Sequence, residues 1–148
     1  MYDFDTLPEE LQEQIIEQAR KQYSNTLIDH WLHPRCLGRL ENPDGHAKQY
    51  GTCGDTMEIF IRARDNKITE ASFWTDGCIT TIASGSMAVE MAKGKSIEKA
   101  STISQVDILD GLGGLPKESQ HCALLAANTL KVAIDEYRSI KKKYLNSK

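Results

Sequence analysis

Three of the four cysteines in this 148-residue chain lie where the sequence predicts the boundaries of helices and strands. Cys53 is flanked by glycines and precedes Asp55 by two residues, so a bend in the backbone can turn a thiolate and a carboxylate toward one point. Cys78 lies at a predicted helix start, and Cys122 lies beside His121 near the start of the last predicted helix. The partial positive charge at a helix start lowers the pKa of a thiol and favours the thiolate that binds metal. These residues together predict a metal or cluster site.

The residue types do not determine which metal or cluster is bound. Three thiolates with one oxygen or nitrogen ligand suit an iron-sulfur cluster or a zinc ion, because both favour sulfur-rich tetrahedral coordination. The pattern Cys53-x24-Cys78-x43-Cys122 contains no C-x2-C pair, so the fold must bring the ligands together. Each residue taken alone also has a structural explanation, since free cysteines are common in cores and aspartates cap turns. For Cys36 the structural explanation is favoured, and it is not included in the predicted site.

The composition predicts one globular domain over residues 1–148, with 40% hydrophobic and 26% charged residues. A net charge of -3 gives no basic surface of the kind that nucleic-acid binders need. The only basic run, at residues 141–143, is interpreted as the solvated end of a helix.

The acidic residues 1–5 indicate no secretory signal or transit peptide, and no apolar run approaches the roughly 20 residues of a membrane span. We therefore expect a cytoplasmic protein without a membrane partner. In a reducing compartment, four cysteines favour metal binding or catalysis over disulfides.

Periodicity and turn signals predict the elements that must position these residues. A capping box at Thr6 to Glu9 should open an amphipathic helix, and Gly94 should end the helix that begins near Cys78. In that helix the residues 83–86 are small enough for close packing on another element, and a cap formed by Ser104 and Asp107 should open a later short helix. The last helix has one apolar stripe, formed by Ala123, Ala127, Leu130, Ile134 and Tyr137. The predicted segments are helices over 25–32, 79–93, 96–100 and 106–110, a loop over 33–54 with a short strand near 47–50, a β-hairpin of strands 56–64 and 68–75, and a long final helix beyond residue 116. The fold class is α+β, with helices packed on a small antiparallel sheet of about three strands.

Four separate blocks, in order along the chain, resemble the IscU/NifU-type iron-sulfur cluster assembly scaffold family. The similarity extends from about Leu27 to Tyr137 and is carried by Pro34-Arg35-Cys36-Leu37-Gly38, Cys53-Gly54-Asp55, Gly77-Cys78 with Ile82-Ala83-Ser84-Gly85-Ser86, and His121-Cys122-Ala123-Leu124-Leu125-Ala126. The same α+β fold is implied by the resemblance.

The resemblance also implies the roles of the site residues. Cys53, Cys78 and Cys122 are expected to be cluster ligands, with Asp55 or His121 as the fourth ligand or an assembly aid. Cys122 is expected to receive persulfide sulfur from a cysteine desulfurase, and the finished cluster is expected to pass to apo iron-sulfur proteins. A [2Fe-2S] cluster is favoured, while a [4Fe-4S] cluster, zinc in the cluster-free protein and a homodimer remain open. The chain is thus expected to be an iron-binding scaffold and not an enzyme.

Some features depart from the family or suggest other functions. Leu115-Pro116-Lys117-Glu118-Ser119 replaces the Leu-Pro-Pro-Val-Lys segment that a dedicated Hsp70-type chaperone reads, which makes dependence on such a chaperone doubtful. A zinc-dependent SufU-type sulfurtransferase is the main alternative, but the 43 residues between Cys78 and Cys122 leave little room for the insertion of that group. A thiol hydrolase with a Cys-His pair is disfavoured, because adjacency in sequence should place His121 and Cys122 on different sides of a helix.

Overall fold

A computed structural model describes residues 4–146, with side chains for residues 4–145. It contains the helices α1 (Glu9–Arg20), α2 (Asn25–Leu32), α3 (Ile79–Ala92), α4 (Ile97–Ala100), α5 (Gln105–Leu112) and α6 (Gln120–Asn146), short 3-10 turns at Phe4–Thr6 and Lys117–Ser119, and the strands β1 (Gly45–Tyr50), β2 (Thr56–Arg64) and β3 (Lys67–Thr75). The strands form one antiparallel sheet in the order β1-β2-β3. The predicted α+β class is confirmed, while residues 1–3 of the acidic amino terminus lie outside the described part of the chain.

The β2–β3 hairpin follows directly from its turn residues. Asp65 and Asn66 both have positive φ, at 54° and 63°, which is the requirement of a two-residue type I′ turn. Arg64 pairs with Lys67 across this turn, so β3 begins one residue earlier than predicted. On the other side of β2, the predicted short strand is the longer β1, whose last residue, Tyr50, precedes the turn that carries Cys53.

Helix α3 lies close against the sheet because its middle is built from small residues. A Cβ atom at Gly85 would lie 2.5 Å from Cδ2 of Phe73, a ring on β3 that is completely buried. This contact confirms the prediction that the small stretch over 83–86 allows close packing. The helix ends as predicted, with Lys93 at its C-cap and Gly94 at a φ of 86°. Its start, at Cys78, is therefore fixed three residues beyond the end of β3.

Helix α6 packs along the sheet through the predicted apolar stripe. Ala123, Ala127, Leu130 and Ile134 are buried. At the β1 end of the contact, a Cβ atom at Gly45 would lie 2.4 Å from the carbonyl oxygen of Ala133. This close approach holds α6 against the sheet far from its start, where His121 and Cys122 lie.

The predicted capping box at the first helix is wrong. Helix α1 begins at Glu9, with Pro8 at the N-cap and no hydrogen bond from a capping side chain, so Thr6 lies two positions too early to cap it. The side-chain amide of Gln12 instead donates to the carbonyl oxygens of Phe4 and Leu7, at 3.2 and 2.9 Å. The cap predicted from Ser104 and Asp107 does form, and it opens α5.

None of the helices in residues 4–146 is long and apolar enough to cross a bilayer.

A buried histidine connects α2, α3 and the loop that follows α2. His30 is only 3% exposed; its Nδ1 lies 2.7 Å from the Ser86 hydroxyl and its Nε2 lies 3.0 Å from a Glu90 carboxylate oxygen. The Ser86 hydroxyl oxygen also accepts a hydrogen bond from the backbone N–H of Arg35. Burial, assisted by the Arg35 charge and opposed by Glu90 and Asp29, lowers the pKa of His30.

We expect His30 to make the fold sensitive to acid. The pKa of His30 in the folded protein is below the unfolded value of about 6.5. The contribution of His30 to the free energy of unfolding is therefore complete above that pH and is lost as the pH falls and the ring becomes protonated. Urea unfolding at pH 7.5, 6.5 and 5.5 measures this. His30→Gln should cost about 1–3 kcal/mol at pH 7.5, through loss of the buried hydrogen bonds, and should lose less stability on acidification than the parent chain does. His33→Gln is the matched control, and equal pH dependence in all three proteins would contradict the prediction.

Candidate functional site

All five predicted site residues line one cavity of about 390 Å³. The cavity lies where the β1–β2 turn, the start of α3 and the start of α6 meet, and these segments contribute Cys53, Asp55, Cys78, His121 and Cys122. Cys36 is not among its lining residues. It lies in the loop after α2, where its carbonyl oxygen accepts a hydrogen bond from the backbone N–H of Phe73. The chain thus assembles the predicted residues from three distant segments and leaves Cys36 elsewhere.

The β1–β2 turn presents Cys53 at the surface of the protein. Gly51 N–H donates to the Asp55 carbonyl oxygen at 2.8 Å, and Gly54 takes a φ of 83° that favours glycine. Cys53 is exposed, and its sulfur lies 3.0 Å from Nε2 of His121. The turn therefore brings a thiol and an imidazole into contact across 68 residues of sequence.

Asp55 lies deeper in the same turn. One of its carboxylate oxygens, Oδ2, accepts a hydrogen bond from the Thr81 hydroxyl at 2.9 Å. The other oxygen, Oδ1, is buried and has no hydrogen-bond partner among the side chains and backbone of residues 4–145. A carboxylate with an unused oxygen beside thiols suits a metal ligand.

Cys78 occupies the N-cap of α3 and is exposed. Partial burial raises the pKa of its thiol, but hydrogen bonds from the hydroxyl and backbone N–H of Thr80 and from those of Thr81 outweigh this and hold the pKa below its ordinary value. The predicted acidification of a cysteine at this helix start is confirmed. Cys78 therefore ionises more readily than an ordinary cysteine.

The prediction of an acidified thiol at Cys122 is wrong. Cys122 is only 2% exposed in the first turn of α6, and this burial raises the pKa of its thiol. The hydroxyls of Thr80 and Thr81, at 3.3 and 3.4 Å from the sulfur, oppose the increase, while the charges of Cys78 and Asp55 add to it. Loss of solvation thus exceeds the stabilisation that the two hydroxyls give to the thiolate.

The prediction that His121 and Cys122 face different sides of a helix is wrong for the tip of the imidazole. Nε2 of His121 lies 3.7 Å from the Cys122 sulfur as well as 3.0 Å from the Cys53 sulfur. The ring bridges the two thiols, which the helical positions of the two Cα atoms did not reveal. The geometric argument against a Cys-His pair therefore does not apply.

Sequence reasoning also missed two threonines. The hydroxyls of Thr80 and Thr81 lie between the sulfurs of Cys78 and Cys122, at 3.3 to 3.9 Å from them. Their signal is the position of two hydroxyl residues in the first turn after a cysteine at the helix N-cap, where side chains can turn back toward the cap. Across residues 4–146, no three His, Cys, Asp or Glu side chains are drawn together closely enough to hold a metal ion.

The donor set in this cavity comprises three thiols, one carboxylate and one imidazole. Sulfur-rich sites of this kind select zinc, iron or iron-sulfur clusters over hard cations such as magnesium. The donor types therefore fit the prediction of a zinc ion or an iron-sulfur cluster, and they do not distinguish between the two.

Comparisons with known proteins agree with this chemistry. The NifU-like N-terminal domain family matches residues 22–144. The chain is 46% identical over 120 residues to "Iron-sulfur cluster assembly scaffold protein IscU 1" of Archaeoglobus fulgidus, covering 78% of this chain and 76% of that protein. It is 39% identical over 122 residues to the IscU scaffold protein of Escherichia coli K12, covering 79% and 94%.

A solved structure resembles the chain in fold. The amino-terminal part of a nitrogen-fixing NifU-like protein from Brucella abortus superposes with a TM-score of 0.63 at 18% identity, covering 78% of this chain and 94% of that one. The arrangement of sheet and helices is thus shared at low identity, and the higher identities above establish the relationship. The chain belongs to the NifU-like N-terminal domain family, as its resemblance to IscU/NifU-type cluster assembly scaffolds predicted.

Proposed function

We propose that this protein assembles an iron-sulfur cluster as cargo and transfers it to apo-proteins. The observation that carries the proposal is the convergence of Cys53, Cys78 and Cys122 with Asp55 and His121 on one cavity, from three segments of chain. The names of the IscU relatives support it. In this proposal the three cysteines bind the cargo, and Asp55 or His121 completes the coordination.

The same proposal gives the chain its partners. A cysteine desulfurase supplies sulfur, and apo iron-sulfur proteins receive the cluster, with [2Fe-2S] favoured over [4Fe-4S]. The protein acts in the cytoplasm as a carrier and not as an enzyme, and zinc is able to occupy the thiols in the cluster-free state. A homodimer that shares a cluster is compatible with the exposed Cys53 and Cys78.

A weakly bound fourth ligand, either Asp55 or His121, suits a carrier protein. Four thiolates would bind a cluster firmly, whereas a carboxylate or imidazole is a weaker partner for iron that an incoming thiolate can displace. Asp55 is the better candidate for that exchange, because a single hydrogen bond holds its carboxylate in the described structure.

Sulfur delivery requires one cysteine to accept a persulfide. The ionised sulfur of the acceptor attacks the terminal sulfur of the desulfurase persulfide, the S–S bond of the enzyme breaks, and its cysteine leaves as a thiolate. We propose Cys122 for this role, as the family resemblance implied. Its burial and raised pKa mean that the acceptor must be exposed and ionised within the complex with the desulfurase.

Anaerobic reconstitution tests the proposal directly. Incubation with ferrous iron enriched in the Mössbauer-active isotope, cysteine, a cysteine desulfurase and a thiol reductant, which reduces persulfide sulfur to sulfide, should give a brown protein with a Mössbauer signal of a cluster. Cys53→Ser, Cys78→Ser and Cys122→Ser should each lose most of that signal, because each removes one ligand. Cys36→Ser is the matched control and should reconstitute fully. A colourless parent chain that retains zinc would reject the scaffold function and favour the SufU-type sulfurtransferase.

We expect Asp55→Ala to slow cluster release several-fold, since it removes the exchangeable ligand. Transfer from the reconstituted protein to an apo-ferredoxin, followed by circular dichroism, measures the rate. Asp135→Asn, which alters an exposed carboxylate on α6, is the control and should transfer normally. An unchanged rate of cluster transfer in Asp55→Ala would show that Asp55 is not the exchangeable ligand.

Persulfide trapping identifies the sulfur acceptor. After reaction with a desulfurase and cysteine, a gel-shift assay should detect persulfide on the parent chain and on Cys53→Ser and Cys78→Ser. The signal should be absent from Cys122→Ser. Loss in Cys78→Ser with retention in Cys122→Ser would transfer the role to Cys78, whose thiol is the more acidic in the isolated protein.

A further inference from the structure

The Thr81 hydroxyl lies at the centre of the site and connects its two kinds of donor. Thr81 is 1% exposed, and its hydroxyl lies 2.9 Å from Oδ2 of Asp55, 3.4 Å from the Cys122 sulfur and 3.9 Å from the Cys78 sulfur. A hydroxyl has one hydrogen to donate, and a carboxylate is a much stronger acceptor than a thiol. Its strongest hydrogen bond is therefore the one to Asp55, and its contacts with the two sulfurs are weaker.

Asp55 is held in a hollow that only glycine can provide. A Cβ atom at Gly51 would lie 2.2 Å from Oδ1 of Asp55, the buried oxygen that has no hydrogen-bond partner. A buried, unpartnered carboxylate oxygen is unfavourable. The carboxylate thus rests against Gly51 with one of its two oxygens unsatisfied, and the Thr81 hydroxyl is the hydrogen-bond donor recorded for the other.

A second glycine makes room for Thr81 itself. A Cβ atom at Gly77 would lie 2.6 Å from Cβ of Thr81 and 2.7 Å from its Oγ1. Gly51, in the turn that carries Asp55, thus makes room for the carboxylate, and Gly77, next to Cys78, makes room for Thr81. This mutual fit distinguishes the pair from an incidental surface contact.

We propose that Thr81 is a positioning residue that latches the Asp55 carboxylate against Gly51 in the cargo-free protein. Oδ1 is buried against Gly51 and Oδ2 accepts from Thr81, so Asp55 must turn away from Gly51 and give up this hydrogen bond to present a free oxygen to the cargo. Cargo release lets the hydrogen bond form again. This hydrogen bond, which we call the latch, competes with the bond between Asp55 and the cargo. It therefore weakens the attachment of Asp55 to the cargo without preventing it. The inference rests on the proposed function, because it assigns Asp55 to the cargo.

Two substitutions release the latch by different means. Thr81→Val keeps the β-branched shape and removes the hydroxyl, which leaves both Asp55 oxygens without a donor. Gly51→Ala keeps the hydroxyl and fills the hollow, and the φ of Gly51 lies outside the left-handed region, so alanine is compatible with its backbone. Thr81→Ser retains the hydroxyl and is the matched control.

Binding of Co²⁺ to the metal-free chain tests the latch, with thiolate-to-cobalt absorbance as the readout. Thr81→Val and Gly51→Ala should each bind Co²⁺ about tenfold more tightly than the parent chain, the effect of losing one hydrogen bond to a charged acceptor. Thr81→Ser should bind as the parent does. In an Asp55→Ala background, Thr81→Val should have no further effect.

The outcomes separate the latch from the proposed function. If the parent chain binds Co²⁺ and reconstitutes a cluster, but Thr81→Val binds no more tightly, the latch is wrong and the scaffold function stands. An equal gain from Thr81→Val with and without Asp55 would also overturn the latch, because Thr81 would then act on the thiols. If the parent chain binds no Co²⁺ and forms no cluster, the proposed function and the latch both fail. Thermal unfolding of each variant checks that it is folded.

Discussion

The contact between Gly85 and the ring of Phe73 is the constraint on which the site depends. With a Cβ atom at residue 85 only 2.5 Å from that ring, any larger side chain would push α3 away from the sheet. Phe73 is fully buried, so it cannot move aside without opening the core. Since β3 and α3 are joined by only three residues, their packing sets the direction in which Cys78 and the two following threonines face.

The position of α6 completes the geometry. Its carbonyl at Ala133 lies against Gly45 at the beginning of β1, so the helix is anchored to the strand that leads into the Cys53 turn. Because an α-helix is rigid over several turns, this distant anchor also places Cys122. The five donor side chains that line the cavity, spread over 70 residues, are thus positioned by two glycine-mediated contacts that lie outside it.

The parts of the fold that sequence predicted well are those with a local cause. The β2–β3 hairpin, the Gly94 helix end and the Ser104 cap each depend on a few neighbouring residues. The Thr6 capping box failed although its residues match the pattern, because the helix begins later, after Pro8. Residue spacing and family resemblance together found the five cavity-lining donors, but they could not give their environment.

That environment depends on tertiary packing, which explains the remaining errors. Hydrogen bonds from Thr80 and Thr81 favour the thiolate of both cysteines, but they outweigh burial only at Cys78, while burial prevails at Cys122. The bridge that His121 makes between two thiols depends on the β1–β2 turn folding back over α6. Thr80 and Thr81 carry no metal-binding signature and acquire importance only through the sulfurs that surround them.

These contacts suit the proposed role of the cavity, which is to bind a cluster and then release it. The donors are hydrogen-bonded to one another and to two threonines. Each such bond contributes about 0.5–1.5 kcal/mol, or somewhat more when one partner is charged. In the proposed function, cargo binding replaces several of these bonds and release restores them, which lowers the net free energy of holding the cargo. A rigid site with its ligands already in coordinating positions would hold the cluster more tightly and exchange it more slowly. The structure instead has a fixed backbone frame around side chains that retain alternative partners, which is the property a transfer protein requires.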